Sequence, residues 1–288
     1  MNATASELMI EERLVHVGDV RLNVATAGPR DGRPVLLLHG FPEFWFSWRY
    51  QIPFLAARGF RVIAPDLRGH NLSEKPKGVR AYTMDKLVAD LAGLVDAEAG
   101  GRADVVGHDW GGACGWVFAE RHPARVRKLV LMNTVHPAIL LRAFRGNLRQ
   151  LRRSWYMLYF QLPLLPERTL SRPDFVARAL RGSSQNPDAW SDDVVARYRG
   201  ALGQPGAPTA MINYYRAALH QPLARLGTVQ APTLVVWGDR DPHLGVELVE
   251  DFARGIPNLQ VTHIPDGAHF VQQDRPEVVN AALASFLG

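Results

Sequence analysis

Cysteine is nearly absent from this chain of 288 residues, with Cys114 the only one. A single thiol excludes an internal disulfide and fits a reducing cytoplasm. Long apolar runs are missing too: none approaches the roughly 20 residues that span a bilayer. Residues 1–7 lack the basic-then-apolar order of a secretory leader. These absences predict a soluble, cytoplasmic protein. Charged residues make up 21% and apolar ones 47%, which excludes both a disordered chain and a membrane bundle. The net charge of +5 comes from arginine more than lysine, and no nucleic-acid motif accompanies it. The densest cluster is Arg142, Arg145, Arg149, Arg152 and Arg153. Leu141, Phe144, Leu148, Leu151 and Trp155 fall largely opposite, which predicts a solvated amphipathic helix; the alternative is attraction to an anionic surface or substrate.

The apolar pattern divides the chain. Residues 13–17 and 20–26 alternate as strands around Gly18-Asp19, a hairpin that opens a sheet. A continuous apolar run at 34–38 suits a strand buried on both faces of a parallel sheet, and the stretches at 61–66, 103–106 and 126–132 read as further strands. Helical spacing appears at 46–58, at 82–98 with Thr83 as N-cap, and at 113–121. This alternation predicts an α/β fold with helices covering the sheet. It stops at Asn133. Residues 135–228 hold helical stretches broken at Leu162-Pro163, Leu165-Pro166, Asn186-Pro187 and Gln204-Pro205, with no convincing strand. Strands resume at 232–238 and 259–264, with helices at 245–254 and 276–287. The expected organisation is a core of 1–134 and 229–288 carrying a helical cap of 135–228.

Gly107-His108-Asp109-Trp110-Gly111-Gly112 follows one buried strand and opens a helix. Its glycines have the spacing of a Gly-x-Ser-x-Gly nucleophile elbow, in which a strained turn lifts the central side chain above the sheet. Here the centre is aspartate, which excludes a serine esterase. A carboxylate ionised near neutral pH can attack a saturated carbon bearing a leaving group and form an alkyl ester. Cleaving that ester with water requires a histidine base, an acid to orient it, and donors for the ester carbonyl oxygen. The backbone N–H groups of Phe41 and Trp110 are assigned to that oxyanion hole, because His39-Gly40-Phe41-Pro42 ends a strand beside the ligand crevice. The competing reading is a Gly-Phe-Pro turn that only starts a helix.

Two strand ends after the cap supply the partners. Asp239-Arg240-Asp241 follows one and Gly267-Ala268-His269 the other, so nucleophile, acid and histidine come in α/β-hydrolase order. Asp241 is chosen as the acid, with Asp239 an alternative, and His269 as the base. His39, His108, His136 and His263 are assigned structural or supporting places.

These four motifs together resemble the α/β-hydrolase superfamily, specifically its epoxide hydrolase branch, over nearly the whole chain. The resemblance implies an α/β-hydrolase fold, favours Asp241 over Asp239, and implies that neither a metal nor an organic cofactor is needed. It matches the family's two cap tyrosines, donors to the epoxide oxygen, to Tyr156 and Tyr215, with Tyr159 and Tyr214 as close competitors. The implied partners are a small apolar epoxide and water.

The nearest rival, a dehalogenase, shares the aspartate and histidine, and Trp110 could offer it an indole N–H. Haloalkane dehalogenases, however, typically place a halide-binding residue such as asparagine where Phe41 stands. Fluoroacetate dehalogenases have a His-Trp pair where this chain has Ser154-Trp155, and an arginine where it has Trp110. A non-catalytic binding member of the fold would have no need of Asp109, Asp241 and His269 together.

Overall fold

A computed structural model describes residues 9–219 and 225–288. The leader reading for 1–7 lies outside these residues, as does the 220–224 portion of the expected cap. The hairpin forms as β1 (Glu11–Val17) and β2 (Val20–Ala27) in antiparallel register, Val17 opposite Val20. The other expected strands become β3 (Arg33–Leu38), β4 (Phe60–Pro65), β5 (Ala103–His108), β6 (Val126–Met132), β7 (Thr233–Gly238) and β8 (Leu259–Ile264). They join one eight-stranded sheet in the order β1-β2-β4-β3-β5-β6-β7-β8. Only the β1–β2 and β2–β4 pairings are antiparallel.

Alternation along each central strand divides its side chains between two cores. Leu36, Leu38, Ile63, Val105, Leu129, Leu131, Val235 and Trp237 point to one face of the sheet. Val35, Leu37, Val62, Val106, Val130, Leu234 and Val236 point to the other. The second face is covered by α1 (Gln51–Ala56) and, at the chain's end, by the helix at Pro276–Leu287. The first is covered by α2 (Met84–Glu98) and α3 (Asp109–Arg121), whose Trp116 and Phe118 are fully buried. Burial on both faces is why these strands are apolar throughout.

Between β6 and β7 the described chain is helical: α4 (Pro137–Ala143), α5 (Leu148–Arg153), α6 (Trp155–Tyr159), α7 (Leu165–Leu170), α8 (Phe175–Gly182), α9 (Asp192–Leu202) and α10 (Ala207–Leu219). After β7 come α11 (Val271–Asp274) and α12 (Pro276–Leu287).

Local expectations depart from the structure at four places. The helix expected at 46–58 is a 3-10 turn at Trp45–Trp48 followed by α1, and that expected at 245–254 is a 3-10 helix at Val246–Arg254. Thr83 stands at the N-cap of α2, but its hydroxyl donates to the Arg80 carbonyl instead of accepting from the helix. The arginine-bearing segment is not one helix. Asn147 stops it by accepting from the Gln150 N–H at 2.9 Å, which restarts the chain as α5. Leu148, Leu151 and Trp155 are left exposed, whereas the polar Gln150 is buried.

Candidate active site

Asp109 stands where β5 becomes α3, and its backbone takes a left-handed φ of 48°. Few non-glycine residues accept that conformation, which marks a constrained turn. Its neighbours must be bare. A Cβ on Gly111 would lie 2.2 Å from the Leu38 carbonyl oxygen, and one on Gly40 would lie 2.4 Å from Cβ of Asp109. Glycine at these positions lets the β3 loop and the helix approach Asp109.

The two oxygens of Asp109 face different partners. Oδ1 accepts from the Phe41 backbone N–H at 2.8 Å. Oδ2 lies 3.8 Å from Nε2 of His269. Trp110 is the second residue of α3, where helix N–H groups have no intrahelical acceptor. Of the two residues expected at the oxyanion hole, Phe41 bonds the Asp109 carboxylate directly and Trp110 follows Asp109 at the start of α3.

Asp241 and His269 meet at the carboxyl ends of β7 and β8. His269 Nδ1 bonds Oδ2 of Asp241 at 2.8 Å. Asp241 also accepts from the N–H groups of His243 and Leu244 through Oδ1, at 2.7 and 3.0 Å, and from Asn133 Nδ2 through Oδ2 at 2.8 Å. Burial alone would raise the Asp241 carboxyl, but the charge and hydrogen bond of His269 outweigh it and hold the group far below the usual carboxylate range. Burial would likewise lower His269; the charge and hydrogen bond of Asp241, then Asp109 and Glu43, raise it to about 9. Asp239 is elsewhere, bonded to His263 at 2.8 Å.

The helices between β6 and β7 bring Tyr156, on α6, and Tyr215, on α10, to the cavities that Asp109 borders, with ring centroids 5.8 Å apart. Burial, with Asp109 beneath, pushes both phenols far above their usual range, so both keep their protons near neutral pH. The Trp110 indole packs edge to face against the Tyr215 ring, with centroids 5.2 Å apart. The competing tyrosines have other partners: Tyr159 bonds Thr169 and the Leu165 carbonyl, and Tyr214 donates to the Arg68 carbonyl at 2.7 Å.

Asp109, Tyr156 and Tyr215 border two cavities. The larger, about 480 Å³, runs past Trp110, Leu140, Phe144 and Met157. The smaller, about 170 Å³, runs past Phe41, Phe160, His243, His269 and Phe270. Apolar and aromatic walls around a few convergent polar groups are the character of a small-molecule site.

Of the histidines given structural places, His39 accepts from the Leu67 N–H and His136 accepts from the Ala138 N–H at the start of α4. His108 does more than space the motif. Its Nδ1 bonds Glu43 at 2.7 Å, and its Nε2 bonds the His269 carbonyl at 2.8 Å. Glu43 also accepts from the Gly40 N–H and from Gln272 and Gln273. The sequence reading missed Glu43 as a buried support beneath His269; its position three residues after Gly40 in the oxyanion turn was the available signal. It also missed His243, which packs against His269 and Tyr156 with centroids 5.0 and 5.4 Å away and bonds Ser183 at 2.8 Å. Burial and the neighbouring His269 lower His243 to about 4, so it is neutral at physiological pH. Only its adjacency to Asp241 pointed to it.

A family model described as the alpha/beta hydrolase fold matches residues 33–276. The chain is 38% identical over 278 residues to the AB hydrolase superfamily protein YfhM of Bacillus subtilis, covering 96% of this chain and 97% of that one. It is 35% identical to epoxide hydrolase A of Mycobacterium tuberculosis, again covering 96% and 97%. The crystal structure of Bacillus megaterium epoxide hydrolase with an inhibitor superposes with a TM-score of 0.86 at 31% identity, covering 96% and 99%. The chain belongs to the α/β-hydrolase fold family, and within it to the epoxide hydrolase branch.

Proposed function

We propose that this enzyme hydrolyses small apolar epoxides to vicinal diols through an ester on Asp109, beneath a cap formed by residues 135–228. The observation that carries the reading is the division of Asp109 between two partners, with the tyrosine pair bordering the same cavities. Phe41 holds Oδ1, so Oδ2 is the oxygen directed at substrate. Oδ2 attacks one epoxide carbon, the C–O bond to the ring oxygen breaks, and Tyr156 or Tyr215 gives that oxygen its proton. The product is a hydroxyalkyl ester whose carbonyl oxygen remains on Phe41 and Trp110.

His269 then acts as the base. Nε2 takes a proton from water, and the resulting hydroxide adds to Cγ of Asp109. The oxyanion formed is held by the two backbone N–H groups. It collapses by expelling the diol oxygen, which takes the proton held by the His269 imidazolium, and the carboxylic acid left at Asp109 returns its proton to the tyrosinate. Asp241 keeps Nδ1–H in place and stabilises the imidazolium, as the acid of a hydrolase triad does. The water oxygen remains on Asp109.

The test is the intact mass of His269→Gln after incubation with small epoxides and haloalkanes. An adduct on Asp109 with the full epoxide mass is expected. An adduct formed from a haloalkane with loss of halide, and none from the epoxides, would replace the reading with dehalogenation.

A further inference from the structure

The entry helices of the cap carry an apolar stripe that the fold leaves in solvent. Leu148, Leu151, Trp155 and Leu158 follow one another at intervals of three and four residues. Such spacing aligns side chains along one helical face. Only Ser154 separates α5 from α6. Leu148 is 76% exposed, Trp155 63% and Leu158 66%. Isolated exposed leucines are ordinary, whereas a contiguous stripe with tryptophan marks a contact surface.

Charge identifies the partner. No aspartate or glutamate occurs between Glu120 and Glu167. Among the described residues, Arg145, Arg149, Arg152 and Arg153 make no ion pair; Glu247 feels Arg149 and Arg153 only through space. Unpaired arginine alongside exposed leucine and tryptophan is the pattern of a helix lying in a membrane interface. A second copy docked through the same face would bring two arginine clusters together with no acid in the segment to offset them.

We propose that this face docks on the surface of an anionic lipid bilayer. Leu148, Leu151, Trp155 and Leu158 enter the headgroup–acyl boundary, and Arg145, Arg149 and Arg152 lie among the phosphates. This is peripheral attachment: no helix of the described residues is long and apolar enough to cross a membrane. The same segment borders the catalytic cavities, Trp155 the smaller and Met157 the larger. Docking would put the site beside the phase in which an apolar epoxide dissolves. That delivery role rests on the proposed activity; the docking does not.

The experiment is co-sedimentation of the full chain with phosphatidylcholine vesicles, with and without about 30 mol % phosphatidylglycerol, alongside tryptophan emission. Binding is expected only with the anionic lipid, with a blue shift from Trp155, and it should fall at least about tenfold in about 0.5 M NaCl. A Leu148→Ser, Leu151→Ser, Leu158→Ser variant and an Arg145→Gln, Arg149→Gln, Arg152→Gln variant should each lose binding while keeping wild-type circular dichroism and turnover of a water-soluble epoxide. Absence of binding by the wild-type chain, or binding by either variant at the wild-type level, would overturn the proposal. So would a dimer on size exclusion that the leucine variant dissolves, since a second copy would then cover the face. Failure of docking with epoxide turnover intact would leave the activity standing.

Discussion

His269 should be a different base in the ester than in the resting enzyme, because the reaction removes one of the charges that raise its pKa. In the resting site Asp109 Oδ2 carries its charge 3.8 Å from Nε2. Two unit charges about 4 Å apart interact by about 4 kcal/mol at an effective dielectric constant of roughly 20. At 1.36 kcal/mol per pKa unit, esterification of Asp109 would lower His269 by about 3, less whatever solvent in the cavity already screens. From about 9 in the resting site, His269 would reach about 6 to 7 in the intermediate. The base is thereby freed at the step that needs it. The assay is single-turnover stopped-flow fluorescence from about pH 5 to 10, separating alkylation from hydrolysis, with NMR titration of resting His269. The hydrolytic rate should fall only as pH drops below about 6 to 7, since protonation of the base removes it, while the resting imidazole titrates near 9. A hydrolytic limb near 9 would refute the reasoning, by showing that the charge of Asp109 does not reach His269.

Replacing both Tyr156 and Tyr215 by phenylalanine should slow alkylation by about 10²- to 10⁴-fold with the circular dichroism spectrum unchanged, measured in the same fluorescence transient. Asp241→Asn should cut ester hydrolysis by more than about 10²-fold, whereas Asp239→Asn should leave it nearly unchanged; comparable losses would contradict the pairing of Asp241 with His269. Gly40→Ala places a methyl group against Asp109 and should abolish most turnover, with kcat falling more than the folding free energy would predict. Trp116→Ala, in the core beneath α3, should cost about 3–5 kcal/mol in urea denaturation. One turnover in H₂¹⁸O should put the label on Asp109 and leave the diol unlabelled, read by peptide mass.

The central strands were legible because they are buried on both faces, so runs such as Leu36-Leu37-Leu38 in β3 and Leu234-Val235-Val236 in β7 need no polar alternation to be recognised. The elbow was legible for a steric reason: only glycine fits at 107 and 111, and those two fix where Asp109 must stand. Side chains whose partners lie far along the chain were not. Glu43 and His108 are 65 residues apart, and neither betrays its burial through local pattern. His243 was hidden similarly, since its meaning depends on Tyr156 and Ser183 in the cap. Helical periodicity misled around Arg149 because it reports which residues share a face, while the burial of Gln150 and the exposure of Leu148 depend on what lies above that face.

The unequal cavities on either side of Asp109 have a stereochemical consequence. An epoxide with two different substituents can lie across the nucleophile in two directions, and reversing it presents the other ring carbon to Oδ2. The 170 Å³ side admits only the slimmer substituent of a bulky substrate, so the molecule's own asymmetry selects its direction. Widening that side at Phe160 would make both directions accessible. Two mirror-image epoxides, each attacked at the opposite carbon, could then give a diol of one handedness.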